Sequence, residues 1–130
     1  MKIAIFAVAA VALLPGCVLP PQPSPTPQPS FEDQSAQMWQ RLTNGLNSLY
    51  GQNIHAAVAV FGYPTSDQTV MGDQVFNWES ESTFPATVDM GPLRMYCKIQ
   101  IGVAQDGTIK NSHYDGNVGG CQRYANAFPR

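Results

Sequence analysis

Between residues 95 and 104 the chain alternates. Met95, Cys97, Ile99, Ile101 and Val103 take one parity, and Tyr96, Lys98, Gln100, Gly102 and Ala104 take the other. A period of two puts the apolar set on one face of a β-strand, so a second layer must cover that face. Asp106-Gly107 follows as a tight-turn signal, so residues 108–114 should return antiparallel. Upstream, Gly72 and Asp73 are expected to join two shorter strands, about 68–71 and 74–80. In the second of these, Phe76 and Trp78 share one face, and Val75, Asn77 and Glu79 share the other. An irregular loop is expected over 81–92.

The covering layer should come from the segment before the strands. Trp39, Leu42, Leu46, Leu49 and Tyr50 recur at helical spacing, with Gln37, Gln40, Arg41, Asn44 and Asn47 turned to water. This predicts a helix from residue 33 or 34 to 49, ended by Gly51. Asn53 then serves as N-cap of a short helix over 54–61, whose Ile54, Ala57, Val58 and Phe61 form one stripe, and Gly62 and Pro64 stop it. The tail 117–124 is expected to bring Cys121 back towards the sheet, with no element of its own. The expected fold class is α+β: two N-terminal helices packed on an antiparallel β-meander of three to four strands.

The domain so defined, residues 31–130, is preceded by a different kind of chain. Prolines at 20, 21, 23, 25, 27 and 29 stand in a stretch without charge. Proline fixes φ and removes a donor, so this stretch should be polyproline II, a spacer reaching roughly 40 Å at about 3.1 Å per residue. Before it, Lys2 and the apolar run 3–14 resemble a secretory signal peptide, residues 1–16; the run is shorter than the roughly 20 residues of a spanning helix. Leu14-Pro15-Gly16-Cys17 resembles the lipobox of bacterial lipoproteins. That resemblance implies acyl chains on Cys17 as the membrane contact, with 17–30 as the lipidated cysteine and its proline-rich tether. Several chains on one residue anchor stably. Val18, where an inner-membrane retention signal would have aspartate, favours the outer membrane with the domain facing the periplasm.

With Cys17 assigned to lipid, Cys97 and Cys121 remain as a pair in an oxidising compartment, and a disulfide between them is expected. The alternative is a Cys97 nucleophile with His113 as base, which lacks the helix N-terminus or cation that would lower the thiol pKa. Within 31–130 six cations face nine carboxylates with no basic cluster, which argues against nucleic acid as a partner. His55 and His113 have no neighbour at metal-ligand spacing, and Glu79 and Glu81 read as a solvated edge before a catalytic pair. No nucleophile elbow, phosphate loop or zinc-protease motif occurs. The expectation is therefore no catalytic residues, no metal, no cofactor and no small-molecule substrate. Tyr96, Lys98 and Gln100, with Tyr114 joining them, should line the open face of the sheet as a surface for an envelope protein partner.

The segment 46–78 resembles the BamE (SmpA/OmlA) family of small outer-membrane lipoproteins. The resemblance rests on Leu46 and Leu49 at a helix end, Gly51, the capping Asn53, the stripe from Ile54 to Phe61, Gly62-Tyr63-Pro64, and a strand carrying Val75, Phe76 and Trp78. It implies a BamE-like α+β domain and a lipid-anchored scaffold or assembly module without catalysis. A similar two-helix and sheet arrangement in proteinaceous β-lactamase inhibitors leaves a membrane-displayed inhibitor or exclusion factor as the alternative. An envelope-polymer hydrolase is the remaining reading.

Overall fold

The computed structural model describes residues 21–129. The expected signal peptide 1–16 and Cys17 lie outside the described residues. Residues 21–30 form no helix or strand and are exposed throughout.

Helix α1 spans Phe31–Leu49. It starts two to three residues before the expected position because Ser30 caps it. The Ser30 hydroxyl accepts from Asp33 N–H at 3.1 Å, and the Asp33 carboxylate accepts from Ser30 N–H at 3.2 Å. This reciprocal capping box satisfies donors that would otherwise stay open at the helix start. Met38, Leu42, Gly45, Leu46 and Leu49 are its buried side. Tyr50, expected on that side, is 69% exposed, since it is the C-cap and its backbone (φ −58°, ψ 131°) has left the helix.

Helix α2 spans Ile54–Phe61, as expected, with Asn53 Oδ1 accepting from His55 N–H at 3.1 Å. The link between α1 and α2 is tied to the sheet. Gly51 N–H donates to the Ile109 carbonyl at 2.9 Å, Ile109 N–H to that of Gln52 at 2.8 Å, and Ile54 N–H to that of Gly107 at 2.9 Å.

Four strands follow: β1 Ser66–Val70, β2 Asp73–Phe84, β3 Leu93–Val103 and β4 Ile109–Gly116, in spatial order β1-β2-β3-β4 with every neighbour antiparallel. The first turn is Met71-Gly72, one residue earlier than expected, with φ of 51° and 89°. Two positive φ values in a two-residue loop match the right-handed twist of the flanking strands. Strand β2 continues past residue 80 to Phe84, opposite Leu93, so the irregular loop shrinks to 85–92. Residues 81–84 are exposed on both faces and carry none of the apolar alternation by which a strand is recognised.

A third helix, α3 (Val118–Ala127), corrects the expectation of a two-helix layer. Its opening Val118-Gly119-Gly120 has poor intrinsic helix propensity, and tertiary contacts supply what propensity does not. Asn117 Oδ1 accepts from Gly120 N–H at 2.9 Å. Cys121 is joined to Cys97 of β3 by a disulfide with S–S 2.01 Å. Gly120 lies so close to Tyr96 that a Cβ there would overlap the Tyr96 backbone. Further along, Tyr124, Ala125 and Phe128 are buried, and Phe128 fills the space over Gly45 of α1.

Helices α1 and α3 pack on each other, and with α2 they form one layer over Trp78, Ile99, Ile101, Val103 and Ile109 of the sheet. The Phe61 ring centroid lies 5.6 Å from that of Trp78, 5.6 Å from Tyr124 and 5.3 Å from Phe128. The Trp78 indole N–H donates to the Gly62 carbonyl at 2.9 Å, so the polar atom of the buried indole is satisfied. Among the described residues no helix lies over the other face of the sheet.

Candidate functional site: the uncovered sheet face

Directly opposed residues of antiparallel strands share a face, so the register defines the uncovered surface. Glu79 opposes Lys98, which opposes Asp115; Asn77 opposes Gln100, which opposes His113; Glu81 opposes Tyr96. These residues alternate with the buried Cys97, Ile99, Ile101 and Val103, and so they face away from the helices. Tyr96, Lys98 and Gln100 are brought together on this face, as the alternation implied.

Tyr114 does not join them. It opposes Ile99, on the helix side. Its ring stacks on Trp39 with centroids 5.5 Å apart, and its hydroxyl lies 3.1 Å from Thr43 Oγ1. The cause is a bulge between Gly102 and Val103: Val103 pairs with Ile109, but Gly102 pairs with Asn111. Counted from the turn without the bulge, Tyr114 would oppose Lys98. The extra residue reverses the facing of every side chain beyond it. It takes Tyr114 into the interior and brings His113 and Asp115 out, two residues that sequence reasoning left off this surface.

Side-chain contacts order the face. Lys98 Nζ lies 2.8 Å from Glu79 Oε1, and Arg94 Nε 2.6 Å from Glu81 Oε1. The Arg94 guanidinium also stands over the Tyr96 ring, 5.2 Å from its centroid. The hydrogen bond and then the charge of Arg94 hold the Glu81 carboxyl below the usual carboxylate range, and Glu81 in turn raises Arg94. Gln100 donates to Asn77 Oδ1 at 3.0 Å, and Asn77 donates to the Ser66 hydroxyl at 3.3 Å. Asn77, only 3% exposed, is thereby satisfied through its neighbours. The result is a surface of paired charges and hydrogen-bonded amides around one aromatic ring.

The other candidates are placed apart. Cys97 is bonded to Cys121 on the helix side, whereas His113 is exposed on the opposite face, so the two do not meet. His55 is exposed on α2. Among the described residues no three His, Cys, Asp or Glu side chains are grouped to hold a metal ion, and no helix is long and apolar enough to cross a membrane. A second surface feature was absent from the sequence reading. Where the tether enters α1, Phe31, Leu93, Met95 and Val118 line an apolar groove. No periodicity marks it, because its residues come from three elements.

No family model matches the chain, and neither a curated protein nor a solved structure is found similar to it.

Proposed function

We propose that this chain is a lipid-anchored scaffold or assembly module of the bacterial outer membrane, acting through protein contacts on its uncovered sheet face in the periplasm. The observation that carries this reading is the joint placement of Tyr96, Lys98 and Gln100, with Arg94, His113 and Asp115 around them, on a face that no helix of the described residues covers. An aromatic ring bracketed by an arginine, with a polar rim, has the composition of protein-contact surfaces. The lipobox-like Leu14 to Cys17 and the proline-rich tether support an anchored, stood-off domain, and the resemblance of residues 46–78 to the BamE family supports an assembly role.

Two substitutions test the two halves of the reading. Cys17→Ser should move the protein out of the membrane fraction; unchanged fractionation would refute the anchor. Tyr96→Ala combined with Lys98→Ala should abolish co-purification of envelope partners while leaving the thermal midpoint nearly unchanged. Retention of every partner would refute the contact face.

A further inference from the structure

Strand β2 is longer than the strand that pairs with its outer edge. β1 ends at Ser66 opposite Asn77, whereas β2 continues to Phe84. The hydrogen-bonding direction along that edge follows from two contacts. The Asn77 carbonyl accepts from Thr65 N–H at 2.7 Å, and Glu79 N–H donates to the Thr65 hydroxyl at 3.0 Å, both on the β1 side. Alternation in an antiparallel strand then turns the N–H and C=O of Glu81 and Thr83 the same way. No strand of the described residues lies beside them. The matching end of β3 is treated differently: Asn117 caps it, accepting from Tyr96 N–H at 3.4 Å and donating to the Arg94 carbonyl at 2.7 Å. One side of this two-stranded arm is sealed and the other is open.

We propose that the open edge of β2, from Glu79 to Phe84, receives an extended strand of a partner protein that carries lysine or arginine at alternate positions and apolar residues between them. The inference rests on the contact-protein reading above and names how the partner is held. Charge and parity select the occupant. On the uncovered face Glu79 and Glu81 stand at the edge with Oε1 on Lys98 and Arg94, and with Asp115 beside Lys98 three carboxylates meet these two cations, so the partner residues beside the glutamates should be cationic. On the other face the neighbours are Ser80, Ser82 and Phe84, with Leu93 opposite Phe84, which suits apolar side chains. A second copy of this chain is a poor occupant. Antiparallel self-pairing sets Glu79 or Glu81 against another glutamate, and the registers that avoid this set Pro85, which has no N–H, against Glu79 or Glu81. Main-chain hydrogen bonds would supply affinity and the alternate side chains selectivity.

The test uses the full chain, isotope-labelled and held in detergent, with two synthetic nonapeptides, one alternating lysine with valine and the other glutamate with valine. The lysine peptide should slow hydrogen exchange at the Glu81 and Thr83 amides, and the glutamate peptide should not. Thr83→Pro removes an outward N–H without touching the β2–β3 ladder and should weaken the lysine peptide roughly fivefold to tenfold. Glu79→Lys with Glu81→Lys should exchange the preference of the edge from the lysine peptide to the glutamate peptide. Binding without protection of these amides, or no binding, would overturn strand addition and leave the glutamates as guards of an exposed edge, and equal binding of both peptides would overturn the cationic occupant. That failure is separable from failure of the contact-face reading, because partner co-purification that still depends on Tyr96 and Lys98 would sustain the latter.

Discussion

Asn117 is bonded to Tyr96 through both its backbone and its side chain. Its N–H donates to the Tyr96 carbonyl at 3.0 Å, while its Oδ1 accepts from Tyr96 N–H at 3.4 Å and also from Gly120 N–H at 2.9 Å. One carboxamide therefore continues the β4 edge of the sheet and opens helix α3. Asn117→Ala removes both functions and should cost about 1–2 kcal/mol, read as a lowered denaturant midpoint. Asn117→Asp keeps the acceptor but loses the donor to the Arg94 carbonyl, so it should fall between the two.

Gly119 and Gly120 separate helix propensity from packing. Alanine at either position favours the helix by about 1 kcal/mol. At Gly120 the added methyl meets the Tyr96 backbone, which cannot move aside, so Gly120→Ala should be net destabilising by about 1–3 kcal/mol. At Gly119 it meets the flexible end of Met95, so Gly119→Ala should be close to neutral. Thermal unfolding of the two variants side by side checks the difference.

The disulfide between Cys97 and Cys121 spans 24 residues of sequence. On the loop-entropy account, replacing both cysteines by serine should cost roughly 3 kcal/mol, since the crosslink restricts the unfolded chain. Chemical denaturation with and without reductant measures it, and the double variant should be insensitive to reductant.

Tyr114 should behave as an interior residue. Tyr114→Phe keeps the stack on Trp39 but loses the contact with Thr43, for a stability loss of about 1 kcal/mol. Co-purification of partners should be unchanged, in contrast to the Tyr96 and Lys98 double substitution.

Two carboxyls should titrate low. Asp106 accepts from the Thr108 backbone N–H at 2.9 Å, which with the Thr108 hydroxyl lowers its pKa, and Arg94 lowers that of Glu81. A pKa below its unfolded value stabilises the fold above the unfolded value, and this contribution is lost as pH falls through the folded one. Both groups are exposed, so the effect on stability is small. Carboxyl titration by NMR should place both midpoints below the ordinary range, and Arg94→Ala should return Glu81 to it.

Much of this architecture can be read from residue patterns, and the exceptions share a cause. Ile54 to Phe61 and the alternation from Met95 to Val103 announce themselves because burial on one side imposes a period. The pairing of Cys97 with Cys121 is expected once Cys17 is set aside by its lipobox-like context, and the two are bonded. Helix α3 was not legible because Val118-Gly119-Gly120 carries no helical signal, and the sheet, the disulfide and Asn117 impose its conformation. The end of β2 was not legible because residues 81–84 bury neither face. On the uncovered face, Tyr96, Lys98 and Gln100 belong to β3, whose own alternation runs unbroken, so parity located them. Tyr114, His113 and Asp115 belong to β4 and are reached from the turn only across its extra residue, which reverses the count.

The proposed role makes the uncovered sheet face a protein-contact surface in the envelope. Site-specific photocrosslinking in intact cells measures this most directly, with the probe placed at Lys98 or Gln100 on that face and at Gln40 on the outer side of α1. Discrete protein adducts are expected from Lys98 and Gln100, lost when Tyr96 is changed to alanine, and none from Gln40. Adducts confined to Gln40, or none from the sheet face, would contradict it.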